Sequence, residues 1–248
     1  MKNIAVIICA AGASSRFGGK TKKPFVAVAG RAAFLRSIDY FEKRDDVKQI
    51  ILAISPEDDE LVRVKWEAAL AFSGIKLCHG GAERFETAGK ALELVKDDIE
   101  LIAVHDAVRC CLTDKWLDEL FEKAAETGAA MLACPIVGTV KKVADGVITE
   151  TVDRTGLYEA QTPQVFAADV LKKAYEKLAA MSDEQKSRIS DDAMLAEAIG
   201  QKVAIVETDR SNLKITKRND VPIAEAIIKA RPKPKPDGPT GPYADAVW

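Results

Sequence analysis

Short apolar runs alternating with stretches of helical period constrain this chain more than any other feature of it. The runs are Ile4 to Cys9, Gln49 to Ile54, Ile75 to Cys78, Leu101 to Val104, Ala130 to Cys134 and Val203 to Val206. Each has a strand's length and is largely apolar, as strands covered on both faces are. Between them, Ala33, Leu35, Ile38 and Phe41 fit one face of a first helix. Leu61, Val64, Ala68 and Phe72 recur at steps of three and four on a second, and Trp116, Leu117, Leu120 and Ala124 on another, which predicts core-facing stripes. This alternation predicts an α/β fold: a Rossmann-like, mostly parallel sheet flanked by helices.

The rhythm changes after Pro135. Val137 to Val143 and Val147 to Val152 read as strands around Asp145-Gly146, a hairpin-turn pair. A two-stranded hairpin is marginal alone in water, so residues 136–160 are expected to form a protruding arm packed on the body or on a second copy, and a homodimer is the expectation. Helical pattern returns from Ala167 to Ala180 and from Asp191 to Ile199, with Ser190 as the expected N-cap, and again near Pro222 to Lys229. From Pro232 onward, five prolines and two glycines fall within eleven residues, the composition of an extended tail. The organisation expected is a single domain over 1–230 followed by a tail over 231–248.

Several function classes are disfavoured at once. Lys and Arg number 36 against 38 Asp and Glu, a formal charge of −2, so no basic surplus exists to neutralise a run of nucleic-acid phosphates. The longest apolar run, Ile4 to Ala13, is about half the roughly 20 residues a membrane helix needs. It imitates a signal peptide, but a buried opening strand explains the same residues, and no membrane partner is expected. The five cysteines include no C-x-x-C pair, which argues against both a disulfide framework and a zinc site and suits the reducing cytoplasm. With only His79 and His105 present, a His-rich metal site is excluded.

The first strand ends in Ala10-Ala11-Gly12-Ala13-Ser14-Ser15-Arg16-Phe17-Gly18-Gly19-Lys20, with Lys22 and Lys23 close behind. Two readings stand for it: a solvated Gly-rich turn, or a loop whose backbone N–H groups ring a phosphate while the cations add charge. It matches neither G-x-x-x-x-G-K-[ST] nor G-x-G-x-x-G. The fourth strand runs out into His105-Asp106-Ala107-Val108-Arg109 at the same sheet edge. Asp106 is a candidate ligand for Mg²⁺, with a turn cap as the plain alternative, and His105 reads as a structural histidine. Further cations follow in Asp153-Arg154 and in Ser211-Asn212-Leu213-Lys214-Ile215-Thr216.

Taken together, Ala10-Ala11-Gly12-x-x-x-Arg16, Lys23, His105-Asp106-Ala107-x-Arg109, Asp153-Arg154-x-x-Leu157, Thr162-Pro163-Gln164, Asp191-Asp192-Ala193 and Asn212-Leu213-Lys214-Ile215-Thr216 resemble the 2-C-methyl-D-erythritol 4-phosphate cytidylyltransferase family in order and spacing. The resemblance spans about residues 3–229. It implies a Rossmann-like nucleotidyltransferase fold whose arm completes the partner's site in a dimer, and a reaction that transfers CMP from CTP to 2-C-methyl-D-erythritol 4-phosphate with Mg²⁺ and release of pyrophosphate, in the non-mevalonate route to isoprenoids. It assigns Arg16, Lys23 and Lys214 to catalysis, and Ala10, Ala11, Gly12, Gly81, Thr87 and Asp106 to the nucleotide. Arg109, Thr139, Arg154, Ser190 and Lys214 fall to the acceptor, with Arg154 acting across the dimer. The phosphate nucleophile is already anionic, which suits a chain poor in histidine.

The pattern also departs from the family in places. Lys22-Lys23-Pro24 replaces the customary Pro-Lys-Gln, leaving Lys22 a rival of Lys23, and Ala82, Thr87 and Cys110 stand where an acidic residue, serine and proline are usual. Ser14 stands where glycine is frequent. Two alternatives remain at this level: a ribitol 5-phosphate cytidylyltransferase, and a catalytically silent nucleotide-binding module using its Pro-rich tail to recruit a partner.

Overall fold

The computed structural model describes residues 2–15, 17–18 and 21–231. Arg16 and the Pro-rich stretch from Pro232 onward lie outside the described residues. The chain opens with β1 (Ile4–Cys9), a small ribbon of β2 (Ala27–Val28) and β3 (Arg31–Ala32), α1 (Ala33–Glu42) and β4 (Val47–Ile54). There follow α2 (Asp59–Phe72), β5 (Lys76–His79), α3 (Arg84–Leu92), β6 (Leu101–Asp106), α4 (Asp114–Thr127) and β7 (Ala129–Pro135). A hairpin of β8 (Val140–Ala144) and β9 (Val147–Val152) leads to β10 (Tyr158–Ala167), and α5 (Ala168–Ala179), α6 (Asp183–Ser187), α7 (Asp192–Ala198), β11 (Ala204–Glu207) and α8 (Asp220–Ala230) complete the described chain.

Seven strands form the central sheet in the order β11-β7-β10-β6-β1-β4-β5. Neighbours pair in parallel except at β10, which runs antiparallel to both β6 and β7. The six apolar runs of the sequence are all strands of this sheet. β10 is the seventh, and its apolar pattern is broken by Gln161-Thr162-Pro163-Gln164, where its register against β7 also shifts.

Period-two alternation in β1 splits its side chains between two cores. Ile4, Val6 and Ile8 face α1 and α4 through Phe34, Ile38, Phe41, Leu117 and Leu120, whereas Ala5 and Ile7 face α3 and α5 through Ala88, Ala91 and Leu171. Each such Ile, Leu or Phe withdrawn from water contributes about 1.5–3 kcal/mol, so the central strands form the rigid base of the molecule.

Two expectations require correction. α2 is helical, but Leu61, Val64 and Phe72 point outward, at 36, 79 and 94% exposure. The buried stripe is Val62 and Leu70 with Trp66 packed beside them, the indole resting on Phe25 at 5.7 Å and on Phe34 of α1 at 5.1 Å. Ser190 is not the N-cap of α7. Asp191 holds that place, its carboxylate accepting the Met194 N–H at 3.0 Å.

The arm is a separate two-stranded sheet, turned by Asp145 (φ 50°) and Gly146 (φ 79°), both in the left-handed region a type I′ hairpin needs. Its side chains are almost entirely exposed, Val143, Val147 and Ile148 among them.

Candidate active site

Parallel strands leave their loops at one rim, and there β1, β6 and the segment after β5 enclose a cavity of about 290 Å³. Its wall runs from Cys9 to Ser15, takes in Lys23 and Pro24, then Gly81 to Arg84 and Thr87, and closes with Asp106, Val108 and Lys214. Two glycines permit the walls to meet. A Cβ on Gly80 would lie 2.5 Å from the Ala11 Cβ, and one on Gly81 would lie 2.4 Å from the Glu86 Cβ, so no larger residue fits without moving the loops. The Gly81 N–H donates to the Thr87 hydroxyl at 3.1 Å, tying this loop to α3.

Asp106 ends β6 with its carboxylate nearly enclosed, at 6% exposure. Lys214 Nζ approaches Oδ2 at 2.6 Å, Arg84 Nε approaches Oδ1 at 3.1 Å, and Arg109 Nε stands 3.8 Å from Oδ2. Burial alone would push this carboxyl up, but Arg84, Lys214 and Arg109 outweigh it and hold the group well below the usual carboxylate range. The backbone is fixed as well, the Asp106 N–H donating to Thr162 Oγ1 at 3.0 Å. That hydroxyl also lies 3.0 Å from His105 Nδ1, and burial lowers the His105 pKa to about 3, so the imidazole is neutral and structural, as the sequence suggested.

Lys22 and Lys23 part company. Lys22 Nζ is held between Asp58 at 3.0 Å and Glu57 at 3.1 Å, away from the cavity, while Lys23 lines the cavity wall. Cys9 also lines the wall, but burial pushes its thiol up to about 12, which keeps it protonated and unreactive at neutral pH.

Of the residues singled out from the sequence, the cavity unites Ala10, Ala11, Gly12, Gly81, Thr87, Lys23, Asp106 and Lys214. Arg109 lies just behind the wall, 5% exposed, with its guanidinium donating to the Asn212 carbonyl at 2.8 Å and the Ala160 carbonyl at 3.3 Å. Thr139 and Arg154 are exposed on and beside the arm, and Ser190 is exposed ahead of α7, all apart from the cavity wall.

Arg84 escaped the sequence reading. It bridges Asp106 to the fully buried Asp192, whose Oδ2 lies 2.5 Å from Nη1 and whose Oδ1 accepts the Tyr175 hydroxyl at 2.6 Å. No local signal marks it, because its partners Asp106 and Asp192 lie 22 and 108 positions away.

A family profile described as IspD: 2-C-methyl-D-erythritol 4-phosphate cytidylyltransferase matches residues 4–230. The chain is 41% identical over 237 residues to the 2-C-methyl-D-erythritol 4-phosphate cytidylyltransferase of Rhodopirellula baltica, covering 91% of this chain and 95% of that one. It is 40% identical to the like-named protein of Endomicrobium trichonymphae, covering 93% of this chain and 100% of the relative. Among solved structures, 4-diphosphocytidyl-2C-methyl-D-erythritol synthase from Anaerococcus prevotii superposes with a TM-score of 0.77 at 27% identity, covering 92% of this chain and 96% of that one. The 2-C-methyl-D-erythritol 4-phosphate cytidylyltransferase of Francisella tularensis gives 0.76 at 26% identity, over 91% of this chain and 99% of its own.

Proposed function

The chain belongs to the 2-C-methyl-D-erythritol 4-phosphate cytidylyltransferase family, and on that footing we propose how its own residues carry out the reaction. It transfers CMP from CTP to 2-C-methyl-D-erythritol 4-phosphate, giving 4-diphosphocytidyl-2-C-methyl-D-erythritol and pyrophosphate in non-mevalonate isoprenoid synthesis. The observation that carries the site assignment is the meeting of Lys23, Lys214 and Asp106, from three separate segments of the chain, in one cavity.

An acceptor phosphate oxygen attacks the α-phosphorus of CTP and pyrophosphate departs, so the protein needs to supply neither a nucleophile nor a base. What it supplies is position and positive charge. Ala10 lines the nucleotide side of the cavity with its own N–H spent on the Ala53 carbonyl at 2.8 Å, and the small residues Ala11 and Gly12 bring backbone N–H groups to the nucleotide, with Gly81 and Thr87 on the same wall. Lys23 and Lys214, joined by Arg16, compensate the charge that gathers on the α-phosphate and the departing pyrophosphate. Removing one such donor typically costs about 10²–10³ in rate.

Mg²⁺ fits this donor set. Among the described residues no group of three or more His, Cys, Asp or Glu gathers to cage a metal, whereas Asp106 and Glu83 both line the cavity. One or two carboxylates with phosphate oxygens and water are what Mg²⁺ prefers. Asp106 would hold the ion in place of Lys214, whose Nζ stands 2.6 Å from Oδ2 and would then serve the phosphates, and the ion when bound would add further compensation of phosphate charge.

We assign the acceptor phosphate to Arg109, Thr139, Arg154, Ser190 and Lys214. That no residue of the arm lines the cavity, and that the hairpin exposes apolar side chains, support a homodimer in which Arg154 serves the partner's cavity. The arm, about 136–160, belongs in this reading to a single nucleotidyltransferase domain over 1–230. Among the described residues no helix is long and apolar enough to cross a membrane. The five free cysteines suit the reducing cytoplasm, the setting we propose.

Pyrophosphate release on incubation with CTP, Mg²⁺ and each acceptor in turn tests the reading. Release with the methylerythritol phosphate is the expected result. Release with ribitol 5-phosphate alone would transfer the assignment to that acceptor, and none with either would leave a silent binding module.

A further inference from the structure

Ser14 sits in the left-handed region at φ 58°, which favours glycine and is uphill for a residue with a Cβ. Its hydroxyl is engaged on both sides. It accepts the Lys23 backbone N–H at 3.1 Å and donates to the Gly12 carbonyl at 3.3 Å, bridging the loop after β1 to a residue nine positions on. A hydroxyl can fill both roles at once.

The backbone around Lys23 is gripped on its other sides too. Before it, Lys22 is clamped by Asp58 and Glu57. Lys23 itself opens a 3₁₀ turn with Pro24 and Phe25, seated by Phe25, which stacks on Trp66 at 5.7 Å and meets Phe34 edge-on at 5.8 Å. What remains to be set is how this fixed turn stands relative to the nucleotide loop, and the Ser14 bridge spans that gap.

We propose that Ser14 is a positioning residue for the reaction: its hydroxyl sets Lys23 against the Ala10–Gly12 loop, and the unfavourable backbone at position 14 is kept for that bridge. The inference rests on the reading of Lys23 as the cation facing the phosphates. Since a misplacement of about 1 Å can cost roughly 10² in rate, losing the bridge affects turnover even where the fold is untouched.

Ser14→Gly separates the two roles because it relaxes the backbone while deleting the hydroxyl. Steady-state kinetics and thermal unfolding of Ser14→Gly, Lys23→Ala and the double variant form the test. The expected result is a Tm for Ser14→Gly at or above that of the unchanged protein, with kcat lowered at least about tenfold and KM for CTP changed little. In the Lys23→Ala background, Ser14→Gly should cost no more than about twofold, because residues acting as a unit are not additive. Unchanged kcat in Ser14→Gly, or costs that multiply in the double variant, would overturn the positioning role while the Lys23 assignment stood. A Lys23→Ala enzyme with undiminished kcat would overturn the assignment itself, and the positioning role with it.

Discussion

At the scale of single residues, adjacent lysines of identical chemistry have opposite fates. Lys22 is consumed by an ion pair with the nearly buried Asp58, and Lys23 faces the cavity. Lys23→Ala should lower kcat by about 10²–10³, whereas Lys22→Ala should leave it within about tenfold, a contrast that steady-state kinetics checks directly. The sequence left the pair open because Asp58 lies 36 positions from Lys22, beyond any local signal. His105 offers a second test. With its pKa lowered by burial from 6.5 to about 3, it stays neutral in the folded chain while the unfolded chain takes up a proton. Its contribution is therefore complete above pH 6.5 and is lost progressively from there down to pH 3, at up to about 1.4 kcal/mol per pH unit. Denaturant titrations between those limits should show this slope, and His105→Gln should flatten it.

At the scale of elements, the central strands were legible because doubly covered strands are apolar throughout, and the hairpin because Asp145-Gly146 names its turn. β10 was not, since Gln161-Thr162-Pro163-Gln164 interrupts its pattern. Those polar residues are buried to hold the site: Gln164 Oε1 accepts the N–H groups of Asp192 and Ala193, each at 3.0 Å, just as Thr162 holds Asp106. α2 shows how period can be right and phase wrong. Leu61, Val64, Ala68 and Phe72 have helical spacing, yet the face that meets Phe25 and Phe34 carries Val62, Trp66 and Leu70 instead. Leu70→Ala should cost about 2–5 kcal/mol, while Phe72→Ser should change stability by no more than about 0.5 kcal/mol, both read from chemical denaturation.

At the scale of the whole molecule, the proposed active site is divided between the sheet rim and the arm, and mixing variants tests that division. Chains carrying Arg154→Ala and chains carrying Lys23→Ala should each be nearly inactive as homodimers. Refolded together in equal amounts they should recover about one quarter of full activity, since half the dimers are mixed and each mixed dimer rebuilds one complete site. Mixtures no more active than their components would place Arg154 on its own subunit. The loops meeting at the rim were foreseeable from the parallel sheet, whereas the Arg84 bridge to Asp192 joins residues 108 positions apart and emerges only once α3 and α7 are in place.

The reversal of β10 has a wider consequence for how such a molecule can change. Because this strand alone enters the sheet from the loop-bearing end, the hairpin that precedes it hangs outside the foundation laid by its neighbours. Changes in that appendage leave the parallel scaffold intact, so descendants of this chain can diversify there, at positions other than Thr139 and Arg154, while inheriting the rest unchanged.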